Sequence, residues 1–365
     1  MKNKTLSFLA VAALALVACT AEKSPRKADP VRTEKRSVAP EKASVVIGFS
    51  VATDTFIIER WNKDLKIFAG AAKELGAEIS AQLSAGGTKE QIAQINYLLG
   101  RKIDVLVVIT HDMDMLAGVV KQVRDSGIPV IAYDRMVMGV PIDAYISFDN
   151  RKVGRLLGES LTRAVPRGRY LIVNGSVRDN NSFEVNSGLL EVLNPYIETG
   201  AVKVVENIWL EQWSFDEALE KIGKVLEKST DIDAISCAND QIAAAAIQLL
   251  SERRIAGKVA VVGQDADLIN CQRIVEGTQL MTVYKPIQKL ATRAARLAMA
   301  LSGGMPLTPD TLMENKSGQP VPSYIEEPIA VDRTNMDETV IKDGFHSSED
   351  VYRNLIGLQE PKGKF

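Results

Sequence analysis

The sequence predicts an α/β protein composed of two lobes, each built on a doubly wound parallel sheet. From residue 44 onward, segments with a strand pattern alternate with segments that have a helical period. Most of the strands are near-continuous apolar runs rich in β-branched residues, which is typical of strands covered by helices on both faces. The alternation restarts near residue 169, and a chain of 365 residues is long enough for two such units.

The first set of elements has strand patterns at 44–50, 78–83, 103–110, 128–133 and 144–149. Helical periods lie between them at about 57–75, 88–100 and 113–126, and each ends near a glycine, at Gly76, Gly100 and Gly127. Strands joined in this way by helices indicate parallel pairing.

The second set has strand patterns at 169–175, 202–209, 233–238, 259–264 and 280–284. Its helices fall near 150–165, 182–194, 214–229, 239–253, 266–276 and 286–302. An extended segment at 322–333 follows the last long helix and precedes the stretch 340–346. A strand this late in the chain is placed to cross back between the two lobes.

The N-terminus predicts export. Lys2 and Lys4 precede an apolar run at 6–18, which is too short to span a bilayer and has the length of a signal-peptide core. The letters LVAC at 16–19 resemble the bacterial lipobox, in which Cys19 becomes a lipidated N-terminus. Residues 20–43 are charged and proline-containing, without aromatics, and indicate a solvated tether. An ordinary secretory signal with a coincidental cysteine is the alternative.

The composition argues against several classes of function. The 44 basic and 46 acidic residues nearly balance, so we expect no broad nucleic-acid-binding surface. Only 2 His and 3 Cys are present, which disfavours a metal site or a disulfide framework. We expect no cofactor, and we interpret Cys237 and Cys271 as small buried residues.

Polar and aromatic side chains follow strand after strand in both halves. Ligands of open α/β sheets bind beyond the carboxyl ends of the strands, so these residues are the candidate site. In the first half they are Arg60, Trp61, Asp134 and Arg135; in the second they are Asp179, Asn181, Trp213, Asn239, Asp265 and Lys285.

Each of these residues also has an ordinary structural interpretation. Asp134 and Arg135 can form salt bridges to neighbouring loops, and Asn239, like Asp240 and Asp267, can cap a helix. Asp179 suits a turn, the tryptophans suit a core, and Lys285 suits a solvated loop. Their common location at strand ends favours a shared site over a set of unrelated roles.

The chemistry of this set suits a sugar. Carboxylates accept hydrogen bonds from hydroxyl pairs, while Arg, Lys and Asn donate to the hydroxyl oxygens. Indole rings can cover the apolar C–H faces of a sugar ring. A phosphate or nucleotide is disfavoured because Asp134, Asp179 and Asp265 would repel it.

Seven stretches together carry a resemblance to a known family. They are IERW (58–61), AYDRM (132–136), YISFDN (145–150), DNN (179–181), GQDADL (263–268), GTQLMTVYKPI (277–287) and VIKDGFH (340–346). On these residues the chain from about 44 to 348 resembles the periplasmic sugar-binding proteins of the ribose/galactose type, within them the D-xylose-binding proteins of ABC transporters. Two departures are a longer first loop before Arg60 and the letters THDM at 110–113, which leave the role of His111 open.

The resemblance implies a two-lobed clamp of the type I periplasmic-binding-protein fold, with three crossings near 149–150, 285–286 and 323–330. The implied layout is a signal peptide at 1–18, a lipid-anchored tether at 19–43, an N-lobe at 44–149 plus 286–322, a C-lobe at 150–285 plus 323–350, and a tail at 351–365. The family's sugar contacts correspond to Arg60, Asp134, Arg135, Asp179, Asn181, Asn239, Asp265 and Lys285. Trp61 and Trp213 correspond to its stacking aromatics.

The expected function is therefore binding without catalysis. We expect a monomeric lipoprotein, outside the cytoplasmic membrane, that binds D-xylose or a related pentose and delivers it to an ABC permease. The same fold can instead bind another pentose or a hexose as the sensor input of a chemoreceptor or kinase. A periplasmic sugar hydrolase using Asp134, Asp179 and Asp265 is the alternative of another class, but neighbouring cations suit these carboxylates to binding rather than proton donation.

Overall fold

The computed structural model describes residues 44–52, 58–228 and 231–355, apart from the side chains of residues 58 and 59. The first part of the chain alternates strands and helices as predicted. Its elements are β1 (Val45–Ala52), α1 (Ile58–Glu74), β2 (Ala77–Ser84), α2 (Thr88–Gly100), β3 (Val105–Ile109), α3 (Ala117–Asp125), β4 (Val130–Tyr133) and β5 (Ala144–Phe148).

The alternation continues through the second part of the chain. The elements there are α4 (Asn150–Ala164), β6 (Gly168–Ser176), α5 (Asn180–Glu198), β7 (Val202–Leu210), α6 (Phe215–Lys228), β8 (Ala234–Cys237), α7 (Asp240–Glu252), β9 (Ala260–Gln264), α8 (Leu268–Glu276), β10 (Met281–Tyr284), α9 (Ile287–Ser302), β11 (Thr311–Glu314), β12 (Pro320–Glu326), β13 (Ile329–Val331) and α10 (Ser348–Val351). A π-helical turn at Asp337–Ile341 and a 3-10 turn at Arg353–Leu355 flank α10. None of the helices in the described ranges is both apolar enough and long enough to traverse a bilayer.

Two sheets of mostly parallel strands confirm the predicted fold class. The N-lobe sheet has the order β2-β1-β3-β4-β5-β12-β11, in which the edge strand β11 alone runs antiparallel to its neighbour. The C-lobe sheet has the order β7-β6-β8-β9-β10-β13, in which β13 is the antiparallel strand. The first five strands of each sheet therefore follow the same doubly wound order.

The chain passes between the two sheets three times, after β5, after β10 and after β12. The third passage is the two-residue segment between β12 and β13, because β12 pairs with β5 as far as Glu326. The expected lobe boundary at 322 therefore falls inside a strand and belongs later. Val351 is also buried against the C-lobe, so the expected tail begins too early at 351.

Both faces of each sheet are covered, which explains why the strands read as apolar runs rather than as an alternation. Along β3, Val107 and Ile109 pack into one hydrophobic cluster while Val108 packs into another on the opposite face. In the C-lobe, Leu171 and Ile172 of β6 likewise pack into two different hydrophobic clusters, one on each face of the sheet. Strand β11 was not predicted, since its edge position leaves most of it exposed and no apolar run marks it.

Helices α4 and α5 lie in close contact because glycines occupy their crossing. A Cβ atom on Gly154 would overlap the backbone carbonyl of Val185, and one on Gly188 would overlap that of Arg151. This approach places the first turn of α4, at a passage between the lobes, beside the first turn of α5.

We expect Gly188→Ala to destabilise the protein, since its methyl group collides with rigid backbone. Overpacking of this kind lowers the free energy of unfolding by about 1–3 kcal/mol. The measurement is chemical denaturation followed by tryptophan fluorescence.

The matched control is Gly118→Ala in α3, where a Cβ meets no atom within 4 Å. That change should raise the free energy of unfolding by about 0.5–1 kcal/mol through helix propensity. Equal stabilities for the two variants would contradict the close helix crossing.

Candidate functional site

All ten predicted site residues lie in the described ranges, and the structure brings their side chains together around one cleft. The N-lobe contributes Arg60, Trp61, Asp134 and Arg135; the C-lobe contributes Asp179, Asn181, Trp213, Asn239 and Asp265; and Lys285 lies at the second passage between the lobes. Gln264 completes the lining.

Two aspartates occupy equivalent positions in the two lobes. Asp134 directly follows β4, the fourth strand of its lobe, and Asp265 directly follows β9, the fourth strand of the other. Each donates its backbone N–H to the fifth strand, Asp134 to Ile146 at 2.7 Å and Asp265 to Val283 at 2.8 Å. Both have positive φ, 62° and 97°, a strained conformation that concentrates at functional sites. Their carboxylates thus enter the cleft from opposite sides.

Arg60 joins the two lobes from the start of α1. Its guanidinium forms an ion pair with Asp134 in its own lobe and lies 3.5 Å from Asp265 in the other. The same guanidinium lies 4.4 Å from the ring centre of Trp61, and that of Arg135 lies 5.5 Å from it. Trp61 is only 1% exposed, so it serves as a buried platform beneath the two cations.

A second pair of opposite charges spans the lobes beside the first. Arg135 Nε lies 3.0 Å from Asp179 Oδ2, and the same carboxylate oxygen accepts a hydrogen bond of 3.0 Å from Trp213 Nε1. The indole ring of Trp213 lies against Gly175, where a Cβ atom would overlap it. Trp213 is therefore fixed by a bond at its nitrogen and by the glycine at its face.

Helix capping and cleft lining are combined in two of these residues. Asp179 Oδ1 accepts the backbone N–H of Asn181 at 3.0 Å, and Asn239 Oδ1 accepts that of Ile242 at 2.9 Å. Asp179 keeps its second oxygen for Arg135, and Asn239 keeps its amide NH₂ group for the cleft. The capping interpretation is thus correct for Asn239, and Asp179, for which a turn was expected, also caps its helix. Neither role excludes the residue from the site.

Sequence reasoning missed Gln264, the last residue of β9. Its Nε2 donates to the carbonyl of Ala238 at 2.5 Å, and its buried Oε1 has no hydrogen-bond partner. A glutamine at a strand end carries no distinctive pattern, and only its position directly before Asp265 could have marked it.

The charges that line the cleft balance. Three basic groups, Arg60, Arg135 and Lys285, face three carboxylates. Lys285 Nζ lies 3.3 Å from Asp265 Oδ1, which extends the network of pairs. A site with no net charge has no long-range attraction for an ion, so an uncharged polar ligand fits it best.

The pKa values of these groups follow their burial and partners. Burial would raise the pKa of Asp134, but Arg60 and Lys285 outweigh it and hold that pKa below the ordinary value. Burial raises the pKa of Asp179, which Arg135 only partly offsets. Burial would lower the pKa of Arg60, yet its surrounding carboxylates raise it. Asp134 and Arg60 are therefore charged at neutral pH.

Asp64 is a further acidic residue beneath the cleft that sequence reasoning did not select. It is fully buried, accepts a hydrogen bond from the Tyr133 hydroxyl, and lies 3.7 Å from Arg60 Nε. Burial raises the pKa of Asp64 to about 7, although Arg60 and Tyr133 favour its ionised form. Nothing in its sequence position, inside a helix, separates it from a surface aspartate.

His111, Cys237 and Cys271 are not among the residues that line the cleft. The backbone N–H of His111 is held by Gln91 Oε1 at 3.0 Å. Cys237 and Cys271 are buried free thiols, as expected. Across residues 44–52, 58–228 and 231–355 no cluster of three or more His, Cys, Asp or Glu side chains is arranged to hold a metal ion.

Comparison with known proteins defines the family. The model of the periplasmic binding protein domain matches residues 47–305. The chain belongs to the periplasmic-binding-protein family. It is 42% identical to the D-xylose-binding periplasmic protein of Haemophilus influenzae, over 84% of this chain and 92% of that protein. It is also 42% identical to the Escherichia coli protein of the same name, over 86% of this chain and 95% of that one.

A solved structure shows the same fold. The solute-binding protein of an ABC transporter from Clostridium phytofermentans, with bound β-D-glucose, superposes with a TM-score of 0.77 at 27% identity. The match covers 84% of this chain and 99% of that one. These relatives are solute-binding proteins, so the chain is a binding protein and not an enzyme.

We expect rising pH to destabilise the native protein relative to Asp64→Asn. The pKa of Asp64 moves from the ordinary 3.8 to about 7 on folding, so the folded state binds the proton more tightly. That contribution is complete below the ordinary value and is lost as the pH rises through 7. Between pH 4.5 and 7.5 the free energy of unfolding should fall by roughly 3 kcal/mol relative to the variant.

Chemical denaturation at a series of pH values measures the difference between the two proteins. Asp216→Asn is the control, because Asp216 is exposed on α6 and its substitution leaves the buried groups around Arg60 intact. Parallel curves for the native protein and Asp64→Asn would rule out a titration of Asp64 on folding.

Proposed function

We propose that the protein binds D-xylose, or a closely related pentose, between its two lobes and delivers it to an ABC importer. The observation that carries the proposal is the charge-balanced cleft, whose donors and acceptors come from both lobes. Identity of 42% over most of the chain to two D-xylose-binding periplasmic proteins supports the choice of sugar.

The cleft supplies the hydrogen bonds that a pentose requires. The guanidinium, ammonium and amide groups donate to hydroxyl oxygens, while Asp134, Asp179 and Asp265 accept from hydroxyl protons. Trp61 Nε1 and Gln264 Oε1, both buried without a hydrogen-bond partner, add one donor and one acceptor. Each charge-assisted bond contributes roughly 1.5–3 kcal/mol. A few of them, after ordering costs, account for micromolar binding at about −8 kcal/mol.

Closure of the lobes is the mechanism that this arrangement supports. Arg60 reaches Asp265, and Arg135 reaches Asp179, only when the lobes are close together. A sugar that bonds to both members of such pairs gains its full set of contacts in the closed form. Binding therefore shifts the population toward that form, which a membrane permease can recognise.

The proposal includes an extracytoplasmic lipoprotein. Residues 1–18 are a signal peptide in this scheme, Cys19 carries the lipid, and residues 19–43 are the tether. All of them lie outside the described residues, and the proposal rests on the lipobox letters at 16–19. The two lobes and the sugar cleft then stand on the outer side of the cytoplasmic membrane.

We expect Arg135→Ala and Asp265→Ala each to weaken D-xylose binding at least tenfold. Each change removes a charged partner of the sugar and leaves an opposite charge in the cleft with fewer partners, which costs about 1.5–3 kcal/mol. Titration calorimetry measures the affinity. A thermal-shift panel of pentoses and hexoses identifies the preferred sugar, because a bound ligand raises the melting temperature.

Arg101→Ala and Asp216→Ala are the matched controls, since both side chains are exposed and neither belongs to the cleft lining. They should leave the affinity within about twofold. Unchanged D-xylose affinity in Arg135→Ala and Asp265→Ala, with both proteins folded, would refute the assigned site.

We expect Cys19→Ser to release the protein from membranes, because serine has no thiol to accept a lipid. The measurement is the distribution between membrane and soluble fractions of the producing bacterium, with Thr20→Ser as the control that keeps the cysteine. Continued sedimentation of Cys19→Ser with membranes would exclude lipidation at this residue.

A further inference from the structure

Behind the cleft, a buried polar cluster connects the first passage between the lobes to Asn181. The cluster consists of Tyr145 and Ser147 on β5, Asn150 at the start of α4, and Asn181 in the first turn of α5. All four are at most 6% exposed. Asn150 is absent from the cleft lining, and it belongs to none of the residues assigned above.

The orientation of the Asn181 amide follows from groups that can only accept. Its Nδ2 lies 3.1 Å from the backbone oxygen of Asp134 and 3.3 Å from Asp134 Oδ1. A carbonyl and an ionised carboxylate have no proton to give, so the nitrogen of the amide must face them. The oxygen of the amide consequently faces the opposite way.

Asn150 lies on that opposite side. Its Nδ2 donates to Asn181 Oδ1 at 2.9 Å, and the Tyr145 hydroxyl lies 3.3 Å from the same oxygen. The Asp134 carbonyl accepts from Ser147 Oγ at 2.8 Å, from the Tyr145 hydroxyl at 3.0 Å and from Asn181 at 3.1 Å. The Tyr145 hydroxyl is closer to that carbonyl than to Asn181, so Asn150 is the donor that holds the Asn181 amide oxygen.

Asn150 and Asn181 move together because their helices share the C-lobe. The glycine-lined crossing brings α4 and α5 into backbone contact, so the bond between the two asparagines does not depend on lobe closure. Tyr145 and Asp134, by contrast, belong to the N-lobe. Asn150 is thus the partner that can orient Asn181 before the lobes meet.

We propose that Asn150 is a positioning residue that locks Asn181 as a hydrogen-bond donor toward the sugar. The inference rests on the proposed function, and it specifies what Asn181 recognises: a ligand oxygen that accepts. With its own oxygen held by Asn150, Asn181 has no acceptor to offer the ligand. A ligand group that only donates at this position is discriminated against.

A double-mutant cycle with D-xylose tests the inference. Asn150→Ala should weaken binding about tenfold in the native background, because the Asn181 amide is then free to turn. In the Asn181→Ala background the same change should alter the affinity by less than about twofold. An equal loss in both backgrounds would show a general hinge effect and overturn the inference, as would no loss in either.

Asn150→Asp is a second variant that keeps the inference testable if Asn150→Ala does not fold. Aspartate has the same size as asparagine and favours the first turn of a helix, which offsets part of the cost of burying its charge, and the melting temperature of the variant shows that it is folded. Its carboxylate accepts from Asn181 and turns the amide oxygen toward Asp134, so D-xylose affinity should fall further than in Asn150→Ala. Native affinity in Asn150→Asp would contradict the proposal.

A ligand-free measurement separates this inference from the proposed function. Hydrogen exchange of the Asn181 side-chain amide, assigned by its loss in Asn181→Ala, should be faster in Asn150→Ala than in the native protein. If the native protein does not bind D-xylose at all, the proposed function alone is refuted. Unchanged exchange in Asn150→Ala would refute the positioning role alone.

Discussion

The site depends on the pairing of buried opposite charges that arrive from different lobes. An isolated charge in such a cleft would be very costly. Arg135 and Asp179 neutralise each other across the gap between the lobes, and Arg60 adds Asp265 of the other lobe to Asp134 of its own. In the proposed mechanism, the pairing makes lobe closure and site assembly one event. It also explains why an uncharged polyol is the ligand that the cleft can accept without upsetting the balance.

The duplicated strand order determines where these charges can be. In each lobe the residue after the fourth strand has positive φ and bonds through its N–H to the fifth strand, which aims Asp134 and Asp265 into the cleft. The backbone strain at both positions is tolerated because the parallel strands beside them are rigid and buried on both faces. The scaffold therefore holds the two carboxylates in place at the edges of their sheets.

The residues behind the cleft give the polar groups their direction. Gly175 allows the Trp213 ring to lie flat on the strand, from where its nitrogen reaches Asp179. Tyr133 and Asp64 hold the underside of Arg60, and Asn150 faces the oxygen of Asn181. A binding site of this kind is two layers deep, and a change in the second layer reaches the ligand through the first.

The sequence by itself determined the fold and most of the residues of the cleft. Apolar runs such as β3 at Val105–Ile109 marked buried parallel strands, and the polar residues that follow such strands had to meet at the carboxyl edges of the sheets. Only the tertiary structure decided which of them pair, because Arg135 and Asp179 are distant in the chain and belong to different lobes. Only the tertiary structure identified Gln264, Asp64 and Asn150. Their roles depend on residues that are close in space but distant in the sequence, so no local sequence pattern indicates them. The edge strand β11 also emerged only there, since an exposed strand held by backbone pairing needs no apolar period.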